Sequence, residues 1–466
     1  MKMKIEMSAG QECPENMESE LEAIKLCREI LKKAKGRKAQ GAEVYMTSSE
    51  STSIEIKDQR VDSFELAKDR GIGLRVMVDG ACGFSYCNDF NSDSINKLID
   101  KAISSARNST PDEFRGFSEA VERYPQVNCF DEKLSEISIE EKIEKTRFAE
   151  KTGRDFDKRI INVRKCSFDD TQYEVAILNT KGLEYTNRGT YCSSSITLIA
   201  QENNVMETGW EIDSSRWFKN LDFEMVGREA ARRAVEMLGA TSVETKKVPV
   251  LLDPYVAMEF LSIFASSLSA DNVQKGKSML SGKTGESVAA KQISIVDNGL
   301  LPEGLASAPA DGEGVPMQRT VLVENGVLRG FLYDIYTAKK DDTVSTGNGF
   351  RGGFKDTPRV SVSNFYIEKG NISQEEIVSE IDDGFLIREA MGVHTANPIS
   401  GDFSLGVSGL WIKGGKISFP VRGVVISGNI MDLFRSVKKV GSDLRFYGRI
   451  GAPTLMIEEM SVSGKG

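Results

Sequence analysis

"AEVYMTSSESTSIEIKDQRVDSFELAKDRGIGLRVMVDGACGFSYC" (residues 42–87) decides the fold class of this chain. Apolar side chains recur at every second position in Ile54/Ile56, Phe64/Leu66 and Leu74/Val76/Val78. Successive side chains of a strand point to opposite faces, so a period of two marks a half-buried β-strand. Asp79-Gly80, between two such runs, is a residue pair that tolerates the positive φ of a tight hairpin. The stretch predicts an antiparallel meander. A second alternating block over residues 160–215, turning at Thr180-Lys181-Gly182, predicts another.

Helical patterns flank both blocks. Residues 1–18 read as a frayed leader, and Ser19-x-x-Glu22 has the spacing of a capping box. Leu21, Ile24, Ile30, Leu31 and Ala34 then follow a helical stripe as far as Gly36. Residues 92–107 put Ile95, Leu98, Ile99, Ala102, Ile103 and Ala106 on one face. Ser138-x-x-Glu141 opens a helix to about Lys151, and residues 222–238 are amphipathic up to Gly239. The first half is therefore α+β, an antiparallel sheet with helices. No repeat of fixed period is legible in it.

Near Thr241 the pattern changes. Residues 247–252 read as a strand, and Asp253-Pro254 supplies an N-cap and a first helical residue for a helix to about Leu268. The remainder is Gly-rich and strand-like, with hairpins on Asn325-Gly326 and Gly414-Gly415 and helices only at 373–383 and 430–438. A chain of 466 residues exceeds the size at which one core stops growing. We expect two domains: 1–240, α+β, and 241–466, mainly β and barrel-like.

Composition narrows the function. The formal charge of −9 and scattered Lys/Arg pairs argue against nucleic acid. The apolar runs fall short of the ~20 residues a membrane helix needs, and residues 1–22 lack the apolar core of a signal peptide. Seven cysteines, an odd number without a CxxC, suit reduced thiols in a cytoplasm. "SGKTGE" (281–286) lacks the spacing of a phosphate loop.

The chain has one histidine, His394, within "GVHTANPISGDFSLGVSG" (392–409). A Ser/His/Asp arrangement with Ser400, Ser404 or Thr395 and Asp402 is conceivable, but no nucleophile elbow precedes a helix here. The plain reading is a loop histidine in a tight turn. His394, Thr395, Asn397, Ser400 and Asp402 are the candidates for peptide or partner binding, and no catalytic residue is assigned. Catalytic zinc in peptidases normally takes at least two imidazoles, which one histidine cannot supply.

Four stretches carry a resemblance: "DGEGVPMQRTVLVENGVLRGFLYD" (311–334), "STGNGFR" (345–351), "NPISGDFSLGVSGLWIKGGK" (397–416) and "VGSDLRFYGRIGAPTLMIEEMSVSG" (440–464). Together with residues 61–89 they resemble the TldD/PmbA proteins, zinc peptidases also called modulators of DNA gyrase. In that family the TldD branch holds metal with a His-Glu-x-x-x-His helix and a later Cys, and the PmbA/TldE branch lacks them. Counting back from "SGKTGE", the ligand positions fall on Leu261, Ser262 and Ser266, and "FYGRIGAPTL" (446–455) has no Cys. The resemblance thus implies a PmbA/TldE-like chain with no metal or other cofactor. Its implied partners are a TldD-type subunit or a second copy, and its implied substrate an unfolded peptide. A self-sufficient Ser/Thr or carboxylate-metal hydrolase, or a regulatory binding protein, stands as the alternative.

Overall fold

The computed structural model describes residues 15–465. Helix α1 (Glu15–Gly36) leads into β1 (Gly41–Lys57), β2 (Arg60–Val78) and β3 (Ala81–Cys87), and α2 (Ser92–Arg107) follows. The same order returns in α3 (Ile139–Asp155), β4 (Ile160–Asn179), β5 (Glu184–Glu202), β6 (Val205–Ser215) and α4 (Phe223–Glu236). The two units are joined through their first strands, giving one antiparallel sheet in the order β3-β2-β1-β4-β5-β6. The first half is therefore a duplicated arrangement that sequence periodicity does not reveal, because its loops and strand lengths differ between copies.

Each element follows from its local chemistry. The six α2 residues assigned to one face are its buried residues, and Asn91 caps its first turn. Ser138 caps α3 as expected, and Asp222 caps α4. Helix α1 instead begins at Glu15, so residues 15–18 are helical and Ser19 lies inside the helix. A serine within a helix of good formers costs only tenths of a kcal/mol, roughly, which lets the pattern run on upstream. The remainder of the expected leader lies outside the described residues.

The β1–β2 turn breaks a sequence rule. Asp58 and Gln59 both take positive φ (51° and 59°) although neither is glycine. The buried Glu150 carboxylate of α3 compensates by accepting both backbone N–H groups, at 2.8 and 2.7 Å. Beyond that turn β3 covers β2 only from Ile72 onward. Residues 60–71 of β2 thus have β1 on one side and no described strand on the other.

The second half opens with β7 (Lys246–Leu252), α5 (Pro254–Ser267) and α6 (Ala270–Gln274). Strands β8 (Ile295–Asn298), β9 (Arg319–Glu324) and β10 (Val327–Leu328) precede α7 (Ile335–Lys340), β11 (Gly349–Phe350), β12 (Arg359–Val360), β13 (Phe365–Ile367) and α8 (Gln374–Ser379). Then come β14 (Asp383–Met391), β15 (Asp402–Lys413), β16 (Lys416–Asn429) and α9 (Ile430–Arg435). The last strands are β17 (Val437–Val440), β18 (Arg445–Tyr447), β19 (Ile450–Ala452) and β20 (Leu455–Ser463). Helices α6 and α7 are additions to the two short helices expected here.

Strands β16-β15-β14-β7-β20 form one sheet, and β16 pairs back onto β20 at Val425↔Ser463 and Ile426↔Val462. Five strands therefore close into a barrel, with β17 hydrogen-bonded outside β20. A second sheet, β10-β9-β8-β13-β19-β18, lies across the core. Helix α5 shares that core with both sheets: Val256, Phe260, Leu261 and Phe264 are buried with Val250, Phe385, Ile295 and Phe365. Fold class is α+β with a closed barrel in the second half.

Three polar latches tie the halves together. Arg75 of β2 grips Glu43 of β1 with two bonds (2.9 and 3.0 Å) and lies 3.4 Å from Glu313. Arg351 bonds Glu43 as well and donates to Gly312 O at 2.7 Å. The fully buried Arg216 donates to the carbonyls of Gly304, Leu305 and Ser307 at 2.8, 2.6 and 2.7 Å. Arg445 of β18 forks onto Glu211 of β6 at 2.8 and 3.0 Å.

Candidate functional site

Asp253 accepts the Tyr255 N–H and Pro254 sits in the first turn, so α5 starts where its sequence says. Its polar residues are few, and three of its seven half-buried positions fall on one stripe: Glu259, Ser262 and Ile263, spaced i, i+3, i+4. Across from them the chain leaves β14, turns through Gly392 in the left-handed region (φ 79°) and makes a single 3-10 turn, Val393–Thr395. Between these walls is a cleft of about 330 Å³ lined by Glu259, Ser262, Ile263, Ala390, Val393 and His394.

The predicted residues divide. Leu261 is fully buried and belongs to the core, away from the cleft. Ser262 lines the cleft, but its hydroxyl donates to the Glu259 carbonyl at 2.7 Å. Ser266 donates likewise to Ile263 O at 2.9 Å. Such back-bonding occupies both hydroxyls within their own helix. Leu261, Phe264 and Leu268 lie in the core, with Met258 and Ala265 partly buried and packed against it. The buried side also takes in Val256, Ala257 and Phe260.

Of the five loop candidates, His394 alone reaches the cleft wall, and it is exposed. Thr395 Oγ1 donates to Gly392 O at 2.8 Å. Asn397 Oδ1 accepts from the Ile399 and Ser400 N–H groups at 2.9 and 3.2 Å, an Asx-type turn. Asp402 accepts from Asn429 at 3.0 Å, and that bond holds its carboxyl below the usual range. Ser400 Oγ accepts the Asp402 N–H at 3.3 Å. Ser400 and Asp402 therefore spend their polar atoms on the turn, and no bond joins either of them to His394 in a relay.

The residue that sequence reading missed is Glu259. Partial burial, together with the nearby charge of Glu389, pushes its carboxyl up to about 7, while a bond from Tyr255 opposes the rise. Its Oε2 is buried and has no hydrogen-bond partner. Glu207 on β6 is also raised, first by burial and then by Glu389, although Arg422 pulls it down. A lone acid in the otherwise apolar "YVAMEFLSIFASSL" was the available signal. A carboxyl that titrates near neutrality and faces a cleft can give and take a proton.

A second acidic group behaves differently. Asp311 and Glu313, in the "DGEG" stretch, are buried, and burial raises both, helped at Asp311 by the charge of Glu313 and at Glu313 by Asp334 and Glu43 against the pull of Arg75. Asp311 accepts N–H groups of Glu313, Val315 and Gly349 at 2.8, 3.0 and 2.7 Å. Glu313 accepts the Ile335 N–H at 2.9 Å and faces Arg75. Asp311 thus pins its own loop and the strand at Gly349, and Glu313 carries that loop to Arg75 of the first half. Among the described residues no three His, Cys, Asp or Glu side chains converge as a metal site, and no helix is long and apolar enough to cross a membrane. The described cysteines are unpaired, and burial pushes the Cys27 and Cys192 thiols up to about 12.

Residues 245–464 match the PmbA/TldA metallopeptidase C-terminal domain, 132–238 its central domain and 42–106 its domain 1. Metalloprotease PmbA of Escherichia coli O157:H7 is 28% identical over 433 residues, 92% of this chain and 93% of that protein. A Thermotoga maritima protein described as a modulator of a DNA gyrase superposes with a TM-score of 0.87 at 28% identity, covering 95% of this chain and all of that one. TldE from Thermococcus kodakarensis has the same fold, with a TM-score of 0.87 at 23% identity over 94% of this chain and 100% of its own.

Proposed function

The chain belongs to the PmbA/TldA metallopeptidase family, and on that premise we propose that it is the zinc-free, PmbA/TldE-like subunit of a cytoplasmic peptidase acting on unfolded peptides. The observation that carries this reading is the state of α5. At the three positions where the family resemblance expects metal ligands, one side chain is a core leucine and two are hydroxyls bonded to their own helix. The donors left near the cleft are one carboxyl, Glu259, and one imidazole, His394. That set does not fit a catalytic zinc, which takes three protein ligands and one open position for water. No step is derived through a metal.

Hydrolysis then belongs to a TldD-type partner or to an assembly that includes one. This chain contributes the cleft between α5 and the turn after β14, with Glu259 available for a peptide's polar or cationic group. A division at residues 240/241 separates the duplicated sheet from the barrel, and we propose that the two parts fold as separate units joined by the buried latches. The test is direct: the purified chain is assayed for peptidase activity alone and with a TldD-type subunit, and its metal is measured by elemental analysis. Activity only in the mixture and sub-stoichiometric zinc in the isolated chain support the reading. One zinc per chain retained through dialysis, or robust hydrolysis by the chain alone, overturns it.

A further inference from the structure

Of the residues lining the cleft between α5 and the turn after β14, only Glu259 carries a carboxyl. Its setting is rigid. The Tyr255 hydroxyl, from four residues earlier on α5, donates to that carboxyl. The Tyr255 ring is itself held by edge contacts with Trp210 and Tyr447, at centroid distances of 4.7 and 5.0 Å. Oε2 of Glu259 is left without a partner. Ser262, beside it on the wall, has spent its proton on the Glu259 carbonyl and offers only lone pairs. The wall has no Lys or Arg. Two arginines of neighbouring strands are committed elsewhere: Arg422 of β16 to Glu207 at 2.5 Å, and Arg388 of β14 to Asp253 and Glu236. The outside charge that reaches Glu259 is a second negative one, from Glu389. An anionic group in this cleft, such as a peptide's C-terminal carboxylate, therefore meets repulsion and spare acceptors.

Taking the subunit reading as premise, we propose that this cleft is a pocket for a primary ammonium group of the peptide, with Glu259 as its counter-ion. An ammonium brings three donors to a wall of acceptors, and a charge-assisted hydrogen bond is shorter and stronger than a neutral one. Ile263, Ala390 and Val393 cover the carbon atoms next to it. The volume of about 330 Å³ is at the lower end of small-ligand sites, so the pocket takes one end or one side chain of a peptide and no folded surface. A metal ion is the poorer occupant, because among the described residues no third ligating side chain converges there. In peptides the ammonium group occurs at the N-terminus and on lysine, and both have the chemistry this wall selects.

Isothermal titration of the full chain at about pH 6.5, where both kinds of amine are protonated, tests this with three short alanine-based peptide amides. One has a free N-terminus and no lysine, one is N-acetylated without lysine, and one is N-acetylated with a single lysine. The acetylated lysine-free peptide binds about tenfold more weakly than the free-amine peptide, the usual effect of losing a charged hydrogen bond. Recovery of affinity by the lysine peptide means that the pocket takes any primary ammonium; no recovery means that it takes the N-terminus, and either result supports the assignment. Binding also expels a proton, because the free carboxyl titrates at about 7 and a bound ammonium favours its ionised form. The measured heat therefore changes with the ionisation heat of the buffer. Glu259→Gln, folded as wild type by circular dichroism, loses the ammonium preference and the buffer dependence together, which a merely structural role does not produce. Glu389→Gln, at an exposed position, weakens ammonium binding about two- to threefold. Equal affinity for the free-amine and acetylated peptides, binding of neither, or an unchanged preference in Glu259→Gln overturns the proposal. If the preference is missing but a mixture with a TldD-type subunit hydrolyses peptides, the ammonium pocket fails and the subunit reading stands. If the preference is found but the mixture is inactive, the subunit reading fails and the pocket stands.

Discussion

The clasp around Asp311 and Glu313 and the cleft around Glu259 both hold carboxyls above their ordinary range, and burial is the first cause in each. They part on hydrogen bonding. In the clasp, backbone N–H groups and the guanidinium of Arg75 take up the acidic oxygens. In the cleft, one oxygen of Glu259 is buried and unpaired. A displaced pKa marks burial wherever it occurs, but it points to a site only where the group is reachable and its bonding is incomplete. Two of the stretches that resemble the family accordingly send residues, Glu313 and Arg351, into the join between the halves.

The sharpest way to break this contrast is at the clasp. Arg351→Met leaves the buried Glu43 with half its partners and should cost about 3–5 kcal/mol, the usual effect of uncovering a buried charge. Urea unfolding with an unchanged m-value measures it, and a loss under 1 kcal/mol, or thereabouts, would show the clasp to be dispensable. Next in size is the triple substitution Leu261→His, Ser262→Glu, Ser266→His. It replaces a core leucine by a polar ring and should cost about 2–5 kcal/mol without creating zinc-dependent hydrolysis. Elemental analysis and a peptidase assay on the variant decide that; activity gained on folding normally would mean a dormant centre.

Glu259→Gln should act in the other direction. A carboxyl raised to about 7 keeps its proton in the folded chain while the unfolded chain has already released it. Folded-state stability therefore falls as pH rises from the ordinary glutamate range to about 7, then levels off. Glutamine does not titrate, so the variant should match wild type near pH 4, roughly, and exceed it above neutrality by on the order of 1 kcal/mol after solvent screening. Parallel denaturation curves across that window test the sign; a gap that shrinks with rising pH refutes it. Smallest of all, His394→Ala should move stability by no more than about 0.5 kcal/mol, since the ring is exposed.

What was legible in the residues was the local chemistry. Period-two alternation marked the two blocks that fold into the first sheet, and the caps read at Ser138 and Asp253 stand where helices begin. Asn325-Gly326 and Gly414-Gly415 turn with positive φ at both residues. What stayed hidden was set by distant partners. The Asp58-Gln59 turn depends on Glu150 from a helix some ninety residues on, and the doubling of the first half shows only when β1 and β4 lie side by side. The cleft was half legible. His394 stands out as a singleton, but nothing local to Glu259 announces that Glu389 and a wall of α5 will crowd it.

Closure of the barrel has a consequence for how the protein is made. Strand β7 finds its neighbours only in β14, where Val250 meets Phe385, and in β20, where Val250 meets Ile457. The second partner emerges about 200 residues after β7, which at 5–20 residues per second is roughly 10–40 s of translation. The first sheet has no such delay, since its last strand ends at Ser215. During synthesis, then, a finished open sheet waits beside the apolar β7 and α5 segments, with nothing yet to cover them. The cell must shield that stretch for the length of the wait, so slowing translation downstream of residue 252 should cost yield of this protein more than slowing it upstream.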